Sequence, residues 1–181
     1  EGPYIETWPP KTHENLFLEK EGEPSDQKAR SLIRRFATRA FRRPVTDGEE
    51  ADLLGVYSRA RKGGAEYHAA LRDVFQVILT SPQFLFLIEK SITPKAEPLE
   101  PHELASKLSY FLWNGPPDTQ LLEQASRAGS LGKKLDETVD RMIDSPRFES
   151  FVGEFTPQWL ALDKFAVLEA DRQKFPRLTP H

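Results

Sequence analysis

Cysteine is absent from the 181 residues. That excludes disulfides, thiolate metal sites, cysteine nucleophiles and covalent attachment of a c-type haem within this chain. No run of about 18 apolar residues occurs, so no segment reads as a membrane-spanning helix. Glycine-rich loops are missing, since Gly63-Gly64 is the only adjacent pair. The backbone cradle of a phosphate-binding loop is missing with them. No G-x-S-x-G and no H-E-x-x-H is present, which removes the simplest signatures of a serine hydrolase and a zinc peptidase. The four histidines, His13, His68, His102 and His181, are scattered. None has a second ligand at zinc-helix spacing, and no metal site is expected. The paired acids Glu49-Glu50 and Asp136-Glu137 fall in early helical turns, where the helix dipole accounts for them without catalysis. A net charge of −3 names no strong electrostatic partner.

What is present is proline, and helical periodicity between the prolines. Hydrophobic residues make up 38% and charged residues 29%, enough for a core under a polar surface. Residues 1–24 hold four prolines and no lasting period, and read as an extended arm that Tyr4, Trp8 and Phe17 pin to the body. A first helix starts after Ser25 as N-cap, with Ala29, Leu32, Ile33, Phe36, Ala37, Ala40 and Phe41 on one stripe. Pro44 ends it. Thr46 and Glu49 form a capping box for a second helix, which Gly63-Gly64 stops. A third, AEYHAALRDVFQVILT, buries Leu71, Val74, Phe75, Val77 and Ile78. Ser81-Pro82 restarts it into PQFLFLIEK, which is nearly all apolar and is expected deep in the core.

Residues 91–100 are a proline-bearing linker between two halves. After it, Leu104, Ala105, Leu108, Phe111 and Leu112 line one face of a helix with Pro101 at its start. Tyr110 and Trp113 lie on its edges, either as core or as the rim of a groove. Asn114-Gly115 is a left-handed stop, and Asp118 caps the next helix. A further helix over 132–144 presents Leu135, Val139, Met142 and Ile143. Ser145-Pro146 echoes Ser81-Pro82 and restarts a helix, and Pro157 begins or kinks the last one, QWLALDKF. The fold class is all-α, an irregular bundle of about seven or eight helices. The arm (1–24) precedes a first helical domain (25–90), the linker (91–100) and a second helical domain (101–181). The chain opens at Glu1 and closes on FPRLTPH without a cap, and reads as a piece of a longer protein with its second domain cut short.

One charged feature stands out. Lys28, Arg30, Arg34, Arg35, Arg39, Arg42 and Arg43 fall within sixteen residues, on the face opposite the apolar stripe. A basic helix can bind nucleic acid, but the chain is acidic overall and carries no accompanying nucleic-acid motif. A solvated or interdomain face is the reading adopted.

RRFATRAFRRPVTDGEEADLLGVY, VILTSPQFLF, ELASKLSYFLWNGPPDTQLLEQA and RMIDSPRFESFVGEFTPQWLAL together resemble two adjacent domains of unknown function, a 1595-type domain followed by a truncated 1592-type. The likeness runs over roughly residues 28–165. Such domains occur in large secreted proteins abundant in planctomycetes, called planctomycete-type cytochromes. Gly115-Pro116 and Pro157 depart mildly from the pattern. The resemblance implies an exported parent with c-type haem in flanking domains, and neighbouring domains and a redox partner as contacts. It transfers no catalytic residue. Three readings follow: a non-catalytic helical scaffold, the wall of an oxidoreductase site beside a neighbour's haem, and a polysaccharide-binding module. The scaffold is preferred, with no catalysis by this chain alone. The candidate interaction surface is Arg34, Arg35, Arg39, Arg42, Arg43, Tyr110, Trp113 and Trp159.

Overall fold

In the computed structural model, residues 16–17, 24–87, 97–162 and 174 are described. The readings for Tyr4, Trp8, His13 and His181, for most of the linker and for the end of the last helix lie outside them. Among the described residues there are nine α-helices and no strands. The two α-helices of a single turn account for the difference from seven or eight.

The first half is α1 (Asp26–Phe41), α2 (Asp47–Lys62), α3 (Tyr67–Thr80) and α4 (Pro82–Leu85). Ser25 caps α1 by accepting from the Lys28 amide, and the Thr46/Glu49 capping box opens α2. Leu32 and Ile33 of α1 pack with Leu71, Val74 and Ile78 of α3, all buried. Phe36 stacks on Phe75 with centroids 4.2 Å apart. Phe17 enters this core as the sequence suggests, edge-on to His68 at 4.8 Å. The buried residues of α3 are Tyr67, Ala70, Leu71, Val74, Phe75 and Ile78. Val77, expected inside, lies about 100° off that stripe and is exposed. Burial pushes the phenols of Tyr57 and Tyr67 up.

The expectation for PQFLFLIEK is overturned. Phe84, Leu85, Phe86 and Leu87 are all exposed. A helix of one turn has no 3.6-residue stripe to bury, and α4 is held through its backbone instead. Arg42 sits in the left-handed region at φ 59° just after α1. From there its guanidinium donates to the carbonyls of Gln83 (2.8 Å), Phe84 (3.2 Å) and Phe86 (2.9 Å). These are among the unpaired acceptors that the end of α4 leaves. Ser81 donates to Ile78 O and makes no N-cap bond to α4.

The second half is α5 (Pro101–Trp113), α6 (Thr119–Ser126), α7 (Ser130–Lys133), α8 (Leu135–Ile143), a 3-10 turn (Pro146–Phe148) and α9 (Glu149–Trp159). Asn114 stops α5 at φ 48°, and Asp118 caps α6 through the Leu121 amide at 2.7 Å. The helix expected over 132–144 is two, α7 and α8, broken at Lys134. The expected face of α5 is rotated. Its inner residues are Ala105, Ser106, Ser109, Leu112 and Trp113, whereas Phe111 is 59% exposed. Small Ser106 and Ser109 let the helix approach closely, their hydroxyls returned to the backbone at His102 O and Gly115 O. Ile143 is likewise exposed. Pro157 lies inside α9 and starts no new helix. The two cores share no residue.

Glu49 links cap to basic cluster. It accepts from both Arg43 terminal nitrogens, at 2.9 and 2.6 Å, and from Thr46 N. Hydrogen bonds from Arg43, reinforced by Thr46, hold its carboxyl down at about 2 against 4.5. The folded value is depressed, so this contribution is present above pH 4.5 and lost as pH falls toward 2. Glu49→Gln is therefore expected to flatten the acid limb of stability in that window, read as the urea midpoint against pH.

Candidate functional site

The residues singled out in the sequence do not form one surface. Arg34 pairs across to α2, its Nε 2.7 Å from Glu50 Oε2. Its outer nitrogen also reaches Asp47 at 4.0 Å. Arg43 pairs with Glu49, and its guanidinium lies 5.6 Å from the Phe41 ring centroid. Arg42 is 6% exposed, so it does not belong to the outward basic face on which the sequence places it. Its hydrophobic stem fits the end of α1 while its fork caps α4. Arg35 and Arg39 line a groove against α6.

Trp113 answers the question its sequence neighbourhood poses. It is 3% exposed, at the centre of the second core, and its indole N–H donates to Met142 O at 2.9 Å. Two guanidiniums, Arg147 at 4.2 Å and Arg141 at 5.4 Å, lie over its ring. Arg141 also donates to Asp118 Oδ2 at 2.7 Å, so the cap of α6 and the Trp113 ring are tied by one side chain. These arginines, and not those of α1, are the ones that meet Trp113. Tyr110 is half-buried beside it on α5.

Trp159 is 72% exposed. It ends a row that the sequence reading missed. Phe148, Phe151, Phe155 and Trp159 stack in near-parallel planes, with centroids 5.1, 4.8 and 6.0 Å apart and tilts of 16°, 11° and 17°. Phe111 of α5 meets Phe151 edge-on at 5.2 Å. The spacing of three, four and four residues is one face of a helix. Breaking the helix at Pro157 hid that stripe. Proline removes one bond near the end of α9, yet Leu160 N still reaches Thr156 O at 3.0 Å. Val152, Leu160 and Leu162 add exposed apolar surface. A cleft of about 190 Å³ lies between the halves, walled by Phe41, Phe86 and Leu87 and edged by Arg43, Glu103 and Lys107.

Fold and surfaces define the class: a tandem all-α module with two separate cores and apolar side chains left outside. Comparison with known families agrees with that division of the chain. Residues 28–89 match the family described as protein of unknown function DUF1595, and residues 99–181 match that described as protein of unknown function DUF1592. The chain carries these two domains in tandem. No curated protein and no solved structure matches it.

Proposed function

We propose that this chain is a scaffold and docking module of a larger exported, haem-bearing redox protein, with no catalysis of its own. The observation that carries the docking role is the aromatic row that runs along α9, half-buried at Phe148 and Phe151 and exposed at Phe155 and Trp159, with exposed Phe111 beside it. Contiguous apolar surface of this kind marks a contact site. The ionic groups singled out on α1 and just after it support the same reading. Arg34, Arg42 and Arg43 are engaged in capping and in pairing helices, which is structural work. The occupant of the aromatic row is a neighbouring domain of the same parent.

The haem-bearing, exported setting rests on the resemblance of the sequence motifs. With no cysteine, this chain forms no thioether link, so c-type haem belongs to flanking domains of the parent. The stacked rings argue against a polysaccharide platform. Rings 4.8–6.0 Å apart and nearly parallel cover one another's faces, whereas sugar stacking needs faces turned outward side by side.

The test is a reduced-minus-oxidised visible spectrum and a redox titration of the full-length parent, unmodified and with Phe155→Ser/Trp159→Ser. The expected result is a c-type haem spectrum whose potential is unmoved by the pair. A parent without haem bands contradicts the setting. A potential that shifts with the pair contradicts the scaffold and makes this module part of the redox site.

A further inference from the structure

Between Leu135 and Leu160 the only cationic side chains are Arg141 and Arg147. Both are turned onto the Trp113 ring, Arg141 also donating to Asp118 and Arg147 to Pro116 O at 2.9 Å. The acids of the same stretch are left outside. Asp140, Asp144, Glu149 and Glu154 are all exposed, and among the described residues no hydrogen bond or ion pair reaches their carboxylates. Asp144 and Glu149 line a groove with Ile143, Phe148 and Val152, at the corner where α8 ends and α9 begins. At about 100° per residue, Glu154 falls on one flank of the stripe of Val152, Phe155 and Trp159, and Glu149 on the other. The row is therefore an apolar strip edged by negative charge.

Helix stability does not account for this charge. Glu149 is in the first turn of α9, where the dipole favours it. Asp144 is the C-cap residue of α8, where the dipole disfavours an acid. Asp140 stands one turn before it, and like charges four residues apart on a helix repel. Each of these groups gains from a cation brought from outside, and charges around an apolar contact set which partner fits and in what register. Two copies meeting through this same face would set carboxylate against carboxylate, and an anionic lipid surface would be repelled. On the reading that a neighbouring domain of the parent covers the row, we infer that the covering face is basic. Its lysine or arginine side chains surround an apolar centre and are set against Asp144 and Glu149 on one side and Glu154 on the other.

The experiment is hydroxyl-radical oxidation of Trp159, read by mass spectrometry, in the full-length parent and in the isolated chain, each unmodified and with Asp144→Lys/Glu149→Lys/Glu154→Lys. In the unmodified parent Trp159 is expected to be protected. The triple reversal should speed its oxidation in the parent about threefold or more, and leave it within about twofold in the isolated chain. Asp144→Asn/Glu149→Gln/Glu154→Gln removes the attraction without adding repulsion. It should speed oxidation in the parent about twofold, and it covers the case in which the lysine variant fails to fold. Asp52→Lys/Asp73→Lys, on exposed positions of the first half, should change nothing. Protection in the parent untouched by both triple variants overturns the inference and leaves the docking role standing. An equal loss with the Asp52/Asp73 pair also overturns it, since net charge and not the edge of the row then acts. Trp159 unprotected in the unmodified parent overturns the docking role and the inference with it. Protection in the isolated chain that grows with its concentration assigns a second copy as occupant and overturns the inference.

Discussion

Arg42→Ala is expected to destabilise the first half by about 2–4 kcal/mol, because three backbone acceptors lose a charged donor together. Gln83, Phe84 and Phe86 carbonyls all depend on this one guanidinium. The residues around them are exposed, so water re-solvates part of the loss, which keeps the expected cost below the sum of three buried bonds. Backbone strain works in the opposite direction. Arg42 holds φ 59° without being glycine, and Arg42→Gly recovers about 1 kcal/mol of that strain while losing the same donors. Arg42→Gly should therefore be less damaging than Arg42→Ala, and both worse than Arg42→Lys. Urea unfolding of the three variants checks the order. An alanine variant as stable as the parent sequence would mean that α4 is held by something other than this side chain.

Trp113→Ala should cost more, about 3–5 kcal/mol, the range for removing a large buried aromatic. The ring is almost wholly enclosed, its N–H is spent on Met142 O, and Arg141 and Arg147 lie against its face. Trp113→Phe separates these contributions. It keeps much of the ring contact and loses the hydrogen bond, for about 1–2 kcal/mol. Because the two cores share no residue, Trp113→Ala should lower amide protection across α5, α6 and α8 and leave α1 to α3 near their original protection. Hydrogen exchange on the variant reads this directly. Equal loss in both halves would show that they unfold as one unit.

The contrast between Trp113 and Trp159 shows how far the sequence reaches. Helix ends were legible where a local group decides them. Ser25, Thr46 with Glu49, Asn114 and Asp118 all act as their chemistry requires. Faces were less legible, because apolarity alone was counted. On α5 the inner face is built on Ala105, Ser106 and Ser109, small residues whose value is close approach, and so Phe111 was assigned inward and Trp113 to the edge. The four exposed side chains of 84–87 were misread for a related reason. A run of apolar residues looks like core until one knows that a distant arginine holds the backbone. That arginine is separated from its acceptors by more than forty residues, a distance that no local pattern encodes. The aromatic row was within reach, since Phe148, Phe151, Phe155 and Trp159 recur at helical spacing, and the proline concealed it.

The docking role is tested most directly by hydroxyl-radical footprinting of the full-length parent, with oxidation of Trp159 and Phe155 followed by mass spectrometry. In this chain the Trp159 side chain is 72% exposed. The account predicts that in the parent both side chains are shielded and oxidise several-fold more slowly than in the isolated chain, because a neighbouring domain covers the row. Oxidation of Trp159 at the same rate in parent and isolated chain would contradict it.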